Sequence, residues 1–438
     1  MTHTVHTPEL DAQQRGVEKL SVPANPTPAP AALSVCLLTG GVDRPYVYGL
    51  TDTLSSMGIS IDLIGSDELD EPDLRSMAGV NFLNLRGDQR PNAGIAAKVF
   101  RVSVYYSKLI AYAASSQSKI FHILWNNRFE TFDRTFLMLY YKLLGKRVVL
   151  TAHNVNKRRR DSRDSFLNRL TLRIQYQLAD HIFVHTEKMR TELMNQFGVS
   201  TARSSVIPFG INNSVPDTDL TPTQAKERLG VSKSEKAILF FGRIKPYKGL
   251  EYLIAAFQTL AQRSADYRLI IVGRLEEGCE HYWESMRKEI QEYFEAGRVT
   301  IRIEFIPDSE IEEYFKASDV LILPYKEIFQ SGVIFLGYNF GLPAIIADVG
   351  SLRDDVVEGK NGLVFCPEDP NDLARAIEQY FGSDLFADLN TRRQVIRDHA
   401  LQRHSWTIVG QQTLSVYQML LGNDARAFAG RRASSASK

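Results

Sequence analysis

Three short stretches hold residue types that could grip a phosphorylated ligand. In Phe240-Phe241-Gly242-Arg243-Ile244-Lys245-Pro246-Tyr247-Lys248-Gly249-Leu250 an apolar run ends in a glycine turn, and Arg243 and Lys248 follow before a helical pattern begins. A guanidinium offers a planar fork and an ammonium a compact point charge, a pair suited to the two phosphates of a diphosphate. Farther on, Pro324 leads through Gln330-Ser331-Gly332-Val333 to Gly341-Leu342-Pro343-Ala344, placing small residues where a helix should start. Amide groups and the positive dipole end at such a start bind anions without a charged side chain. Ser331 also suits plain capping of that helix. Thr151-Ala152-His153-Asn154 follows another apolar run, which sets His153 at a strand mouth, where it serves either a ligand or the local loop. Gly40-Gly41 follows the opening run in the same way, and Gly41 joins Gly242, Arg243, Lys248, Gln330, Ser331, Gly332 and Val333 as candidate ligand-binding positions.

The elements that must position these groups repeat along the chain. From Leu33, short β-branched or leucine runs alternate with longer amphipathic stretches, the pattern of parallel sheets covered by helices. Strands are predicted at Ser34–Leu38, Ile59–Ile64, Asn81–Leu85, Ile120–Leu124, Val148–Thr151 and His181–Val184. The pattern breaks over Ile207–Thr223, where Pro208, Pro216 and Pro222 stand among Asn, Asp and Thr. It restarts at Ala237–Phe241, Leu269–Val272, Thr300–Phe305, Val320–Leu323, Ala344–Ala347 and Gly362–Phe365. The expected organisation is a disordered leader over 1–32, a Rossmann-like domain over 33–210, a linker over 211–236, a second Rossmann-like domain over 237–400, and a flexible tail over 423–438. A length of 438 residues with 44% hydrophobic content supports two cores. Two such α/β sheets facing each other leave a cleft at the carboxyl ends of their strands, where ligands of open sheets bind.

Composition narrows the function. Lysine plus arginine (52) balances aspartate plus glutamate (51), so no global charge calls for a nucleic-acid partner. Cys36, Cys279 and Cys366 are far apart and lack metal or redox spacing, which fits a reducing, cytoplasmic setting. The N-terminus lacks the basic-then-apolar order of a secretory signal, and the apolar runs are shorter than the roughly 18 to 20 residues that span a bilayer. No GxGxxG follows Leu38, and neither GxxxxGK[ST] nor GxSxG occurs, so dinucleotide redox, P-loop and esterase-type chemistry lose support. Asp217-Thr218-Asp219 spells a metal-binding DxD, but it lies in the expected linker, so no metal and no cofactor are expected. Lys142–Arg203 contains thirteen Lys or Arg against five Asp or Glu, including Lys157-Arg158-Arg159-Arg160. With the aromatic and basic stretches Phe100–Tyr112 and Phe132–Leu144, this region reads either as a solvated surface or as a rest against an anionic membrane.

Gly242-Arg243 with Lys248-Gly249, the Gly341–Ser351 segment, Asn361-Gly362-Leu363-Val364, His153 in its Thr-Ala-His-Asn context and Ile207-Pro208-Phe209-Gly210-Ile211 together resemble the family-four (group 1) glycosyltransferases over about Leu33–Leu421. The resemblance implies the two-domain GT-B fold and metal-independent transfer of a sugar from a nucleotide diphosphate sugar to an acceptor hydroxyl, with retained anomeric configuration. It implies Arg243 and Lys248 on the diphosphate, assisted by the amides of Ser331, Gly332 and Val333, with Ile306 at the nucleobase and His153 near the transferred sugar. The closing segment, 401–422, is expected to return as a helix to the first domain. The acceptor would be a glycan or a lipid-linked sugar, reached in the cytoplasm or at the inner face of the membrane, in polysaccharide or glycolipid assembly. One departure stands out. The family's two glutamates, eight positions apart, fall on Ile328 and Leu336, with Glu327 one residue off, so ribose contact must be made differently. A non-catalytic nucleotide-sugar binder and a nucleotide-sugar epimerase remain the alternatives.

Overall fold

The computed structural model describes residues 33–40, 43–89, 94–127, 129–160, 164–211 and 215–435, with backbone alone at 160 and 423–435. The expected leader and Gly41 lie outside the described residues. Two all-parallel sheets form the molecule. The first comprises β1 (Ser34–Leu38), β2 (Ser60–Gly65), β3 (Val80–Asn84), β4 (Ile120–Ile123), β5 (Arg147–Thr151), β6 (His181–Val184) and β7 (Ser204–Val206), in the order β3-β2-β1-β4-β5-β6-β7. The second comprises β8 (Lys236–Phe241), β9 (Tyr267–Val272), β10 (Val299–Arg302), β11 (Val320–Leu323), β12 (Ala344–Ala347) and β13 (Gly362–Phe365), in the order β10-β9-β8-β11-β12-β13. Strands such as β11 (Val-Leu-Ile-Leu) and β12 (Ala-Ile-Ile-Ala) are buried along their whole length, as strands covered on both faces must be.

In each sheet the strand order reverses beside the first strand: β1 pairs with β2 and β4, and β8 pairs with β9 and β11. Loops leaving the carboxyl ends on either side of such a reversal part from each other and open a crevice. The segments after β1, β4 and β5 supply one wall of the resulting cleft, and those after β8 and β11 supply the other.

The chain crosses between domains twice, at 207–211 and again at 404–406, and the crossings are tied together. The Ile211 amide donates to the His404 carbonyl (3.0 Å), and the Trp406 indole donates to the Ile211 carbonyl (2.7 Å). Helix Trp406–Ser435 then packs on the first domain, where Trp406, Val409, Tyr417 and Leu420 join Val35, Leu37 and Leu50 in one core. Buried His122 bridges Tyr417 (2.6 Å) and Thr151 (2.8 Å), locking that helix to β4 and β5. Among the described residues no helix is long and apolar enough to cross a membrane.

Three features of the elements go beyond what the sequence pattern shows. The segment 211–236 is not irregular throughout: it holds helix Pro222–Arg228, started by a capping box in which Thr221 and Gln224 satisfy each other's amides. Asp217 pairs with Lys316 (2.8 Å) and Arg397 (2.7 Å), so this segment is anchored to the second domain rather than hung between the two. The three-residue strand β7, Ser-Ser-Val, carries too little apolar pattern to be read from sequence. At the other end, the backbone of the expected tail continues as helix to Ser435.

Candidate functional site

A cleft of about 720 Å³ lies between the two sheets. On its second-domain wall, β8 ends at Phe241 and the chain turns through a short helical turn at Pro246–Lys248. Gly249 closes this turn at φ +65°, and a Cβ there would sit 1.9 Å from the Pro324 carbonyl oxygen, so only glycine lets the turn press against the end of β11. That contact holds Lys248 in place. Its side chain is buried, with Nζ 2.6 Å from the Tyr325 hydroxyl and 3.9 Å from the centroid of the Tyr325 ring. The Tyr325 hydroxyl lies 3.2 Å from Ser331 Oγ, and Ser331 Oγ accepts from the Val333 amide (3.3 Å) as the cap of helix Gly332–Asn339. A hydrogen-bonded relay thus joins Lys248 through Tyr325 to the helix start, and that first turn carries no acidic side chain. Arg243 is more exposed and pairs with Glu276 (3.3 Å), which also receives Lys245 (3.1 Å). Burial works to raise the Glu276 carboxyl, but the Lys245 and Arg243 contacts outweigh it and hold the group below the usual range. Three cations, two of them shared with Glu276, and a helix N-terminus on one wall are an arrangement that can hold an anion.

The first-domain wall is aromatic. His153 stacks on Trp125 with ring centroids 4.0 Å apart and 6° between planes, and Tyr46 meets it edge-on at 4.8 Å. Trp125 is placed by the turn after β1: Gly40 has φ +45°, and a Cβ there would lie 1.9 Å from the Trp125 carbonyl oxygen. His153 Nδ1 lies 2.9 Å from His185 Nε2, and His185 Nδ1 lies 3.3 Å from the Ile207 carbonyl. Burial, then the neighbouring His185 and His122, pushes His153 well below the ordinary histidine range, and burial takes His185 down to about 4. With both rings neutral, the network assigns the tautomers: His185 Nδ1–H donates to Ile207, His185 Nε2 accepts from His153 Nδ1–H, and His153 Nε2 keeps its lone pair. That atom is buried and has no hydrogen-bond partner among the described residues. Asp43 also lines this wall. Burial raises its carboxyl, against the Tyr46 amide and the Arg243 charge across the cleft.

The cleft thus gathers His153, Gly242, Arg243, Lys248, Gln330, Ser331, Gly332 and Val333. Gln330 donates to Asp355 (3.4 Å), while its Oε1 is buried without a hydrogen-bond partner among the described residues. Ile306 is not among the lining residues: it follows β10, and its side chain is buried in the second-domain core. Ile328 and Leu336 line the cleft with apolar side chains, whereas Glu327 lines a separate interdomain cavity with Arg159, Lys188 and Glu192. Sequence reasoning missed Tyr325, Trp125, Asp43 and His185. His185 directly follows β6, as His153 follows β5, so the same strand-end argument would have found it.

Both halves match known family models: Glycosyltransferase Family 4 over residues 39–215, and Glycosyl transferases group 1 over 235–383. The chain belongs to the group 1, family 4 glycosyltransferases. Among curated members, the D-inositol 3-phosphate glycosyltransferase of Corynebacterium glutamicum (strain R) is 29% identical over 258 residues, covering 56% of this chain and 59% of that protein. Its counterpart from Corynebacterium urealyticum is 27% identical over 252 residues, covering 55% and 57%. The chain therefore spans less than two thirds of these glycosyltransferases. Solved structures share the fold over nearly the whole length. Sucrose-phosphate synthase from Thermosynechococcus elongatus superposes with a TM-score of 0.71 at 20% identity, covering 89% of this chain and 100% of that one. Anabaena HepE in complex with UDP and glucose gives 0.66 at 17% identity, covering 88% and 99%.

Proposed function

We propose that the protein transfers a sugar from a nucleotide diphosphate sugar to an acceptor hydroxyl, without a metal and with retention of anomeric configuration. The observation that carries this is the relay Lys248–Tyr325–Ser331 at the start of helix Gly332–Asn339, with Arg243 beside it and His153 across the cleft. Charge grows on the departing diphosphate as the glycosidic bond breaks, and donors fixed beforehand in a buried site stabilise it without reorganising. His153 lies on the opposite wall of the cleft, beside the space left for the transferred sugar. Attack of the acceptor from the face the diphosphate leaves, with that phosphate taking the acceptor proton, gives retention in one step. The acceptor is a glycan or lipid-linked sugar, used in polysaccharide or glycolipid assembly on the cytoplasmic side of a membrane. That Anabaena HepE was solved with UDP-glucose makes UDP sugars the first donors to try.

The test is slow hydrolysis or transfer of a donor, followed by NMR of the released sugar. An α-configured product from an α-donor is expected, and an initial β product would sink the retaining reading. Ile328 and Leu336 in the cleft wall favour a second reading, a non-catalytic nucleotide-sugar binder. That reading requires tight donor binding with neither hydrolysis nor transfer.

A further inference from the structure

Of the seventeen large apolar side chains exposed among the described residues, twelve lie between Ile95 and Leu170. They come from one layer of the first domain: helix Ile95–Ser115, the helical stretch 130–143 with its flanking Phe129 and Leu144, and helix Phe166–Leu178. The layer is continuous, since Tyr140 donates to the Ile110 carbonyl (3.0 Å) and Arg134 donates to Asn168 (2.9 Å). Ile95 (82%), Leu143 (86%) and Phe166 (78%) are almost fully open. So large a concentration on one face marks a contact surface.

The charge around it decides the partner. Helices Ile95–Ser115, Met138–Leu143 and Phe166–Leu178 contain Lys98, Arg101, Lys108, Lys142, Arg169 and Arg173 and not one carboxylate. Arg101, Lys142 and Arg169 pair at the edges with Asp88, Asp180 and Asp164, while Lys98, Lys108 and Arg173 have no ion pair among the described residues. The carboxylates of the intervening stretch turn inward: buried Asp133 accepts from Tyr106 and the Asn127 amide, and Glu130 is held by Arg134 and Arg158. Apolar side chains ringed by cations suit a surface that is apolar inside and anionic at its rim.

We infer that this face of the first domain seats on an anionic lipid bilayer. The inference rests on the membrane-side placement proposed above and not on the donor site. It also places the cleft. Helix Phe166–Leu178 presents Phe166, Leu167 and Leu170 outward and Leu172, Gln175 and Tyr176 to the cleft, so one helix joins the bilayer to the reacting centre. An acceptor anchored in that bilayer reaches the cleft along this helix.

The test is flotation of the full-length chain with vesicles of phosphatidylcholine, with and without phosphatidylglycerol, at low salt. Binding only to the anionic vesicles is expected. It should fall on the order of tenfold or more in a Phe136→Ser/Leu143→Ser/Phe166→Ser variant, because several buried apolar groups are lost together. A Lys98→Glu/Lys108→Glu/Arg173→Glu variant should lose it likewise. All six positions lie outside the cleft, so a nucleotide-induced thermal shift should survive in both variants and show that they are folded. No flotation with anionic vesicles, or flotation unchanged in both variants, overturns the inference. So does a dimer that the apolar variant dissolves in a chain that binds no vesicle, since a second copy would then cover this face. Flotation without any nucleotide shift leaves the inference standing and counts against the donor site alone.

Discussion

At the scale of single residues, the cleft depends on a few side chains whose roles can be separated. Lys248→Ala removes a buried cation from the anion site, and turnover should fall by about tenfold or more, the worth of one charge-assisted contact. Tyr325→Phe keeps the ring under Lys248 but removes the hydroxyl that joins it to Ser331. Donor affinity should fall about three- to tenfold, as for the loss of one hydrogen bond, with melting temperature nearly unchanged, and titration calorimetry would check both. An affinity equal to wild type would show that the relay does not position the ammonium. Arg243, Lys248 and the Ser331–Val333 helix start were legible in the sequence because both stretches follow apolar strand runs and so fall at the mouth of one sheet. Tyr325 and Trp125 were not, since an aromatic after an apolar run reads as core until its hydroxyl or ring face is seen in place. Ile306, a position taken from resemblance, has its side chain in the second-domain core.

At the scale of elements, the turn at Gly249 and the closing helix matter most. Gly249→Ala places a Cβ against the Pro324 carbonyl in a left-handed conformation. The turn must open and carry Lys248 with it, so stability should drop by about 1–3 kcal/mol, and donor binding should weaken as well. Trp406 fills the space beside Gly49 and Gly210, both of which would clash with it had they a Cβ. Trp406→Ala should cost about 3–5 kcal/mol in urea unfolding, the range for deleting a buried aromatic side chain. The parallel strands were readable because burial on both faces demands unbroken β-branched and leucine runs. The Pro222–Arg228 helix was hidden because Thr221 and Pro222 serve as cap and first turn, signals that outside a periodic stretch look like loop.

At the scale of the whole molecule, buried histidines set the response to pH. Burial lowers His122 to about 3 and His181, His185 and His404 each to about 4, and His153 also lies well below the ordinary value. Between the ordinary histidine value of about 6.5 and about 4 the unfolded chain binds protons that the folded chain refuses, so stability falls as pH falls through that window. Asp355 works the other way. Burial raises it to about 7, so the folded chain holds its proton and this one contribution fades as pH rises from about 4 to 7. Burial also raises Asp43, Asp133 and Glu192, but between pH 7 and pH 5 the five histidines, whose ordinary value lies in that window, outweigh the carboxyls. The melting temperature should therefore drop between about pH 7 and pH 5, and an unchanged or rising value in differential scanning calorimetry would contradict the buried neutral network. Two domains and their cleft could be read from sequence. The resemblance implied that the closing helix returns to the first domain, but the bonds that tie 207–211 to 404–406 could not be read, because they join positions about 195 residues apart through backbone groups and one indole N–H.

The most direct measurement of donor binding in the cleft is thermal stabilisation by a panel of UDP, GDP, ADP and dTDP sugars, on the wild type and on Arg243→Ala and Lys248→Ala. At 100 times its dissociation constant a donor should add about 2.7 kcal/mol. The expected result is a clear shift with one nucleotide class that both substitutions abolish. No shift with any nucleotide, or a shift that survives both substitutions, would contradict the assignment of this cleft as a nucleotide-sugar site.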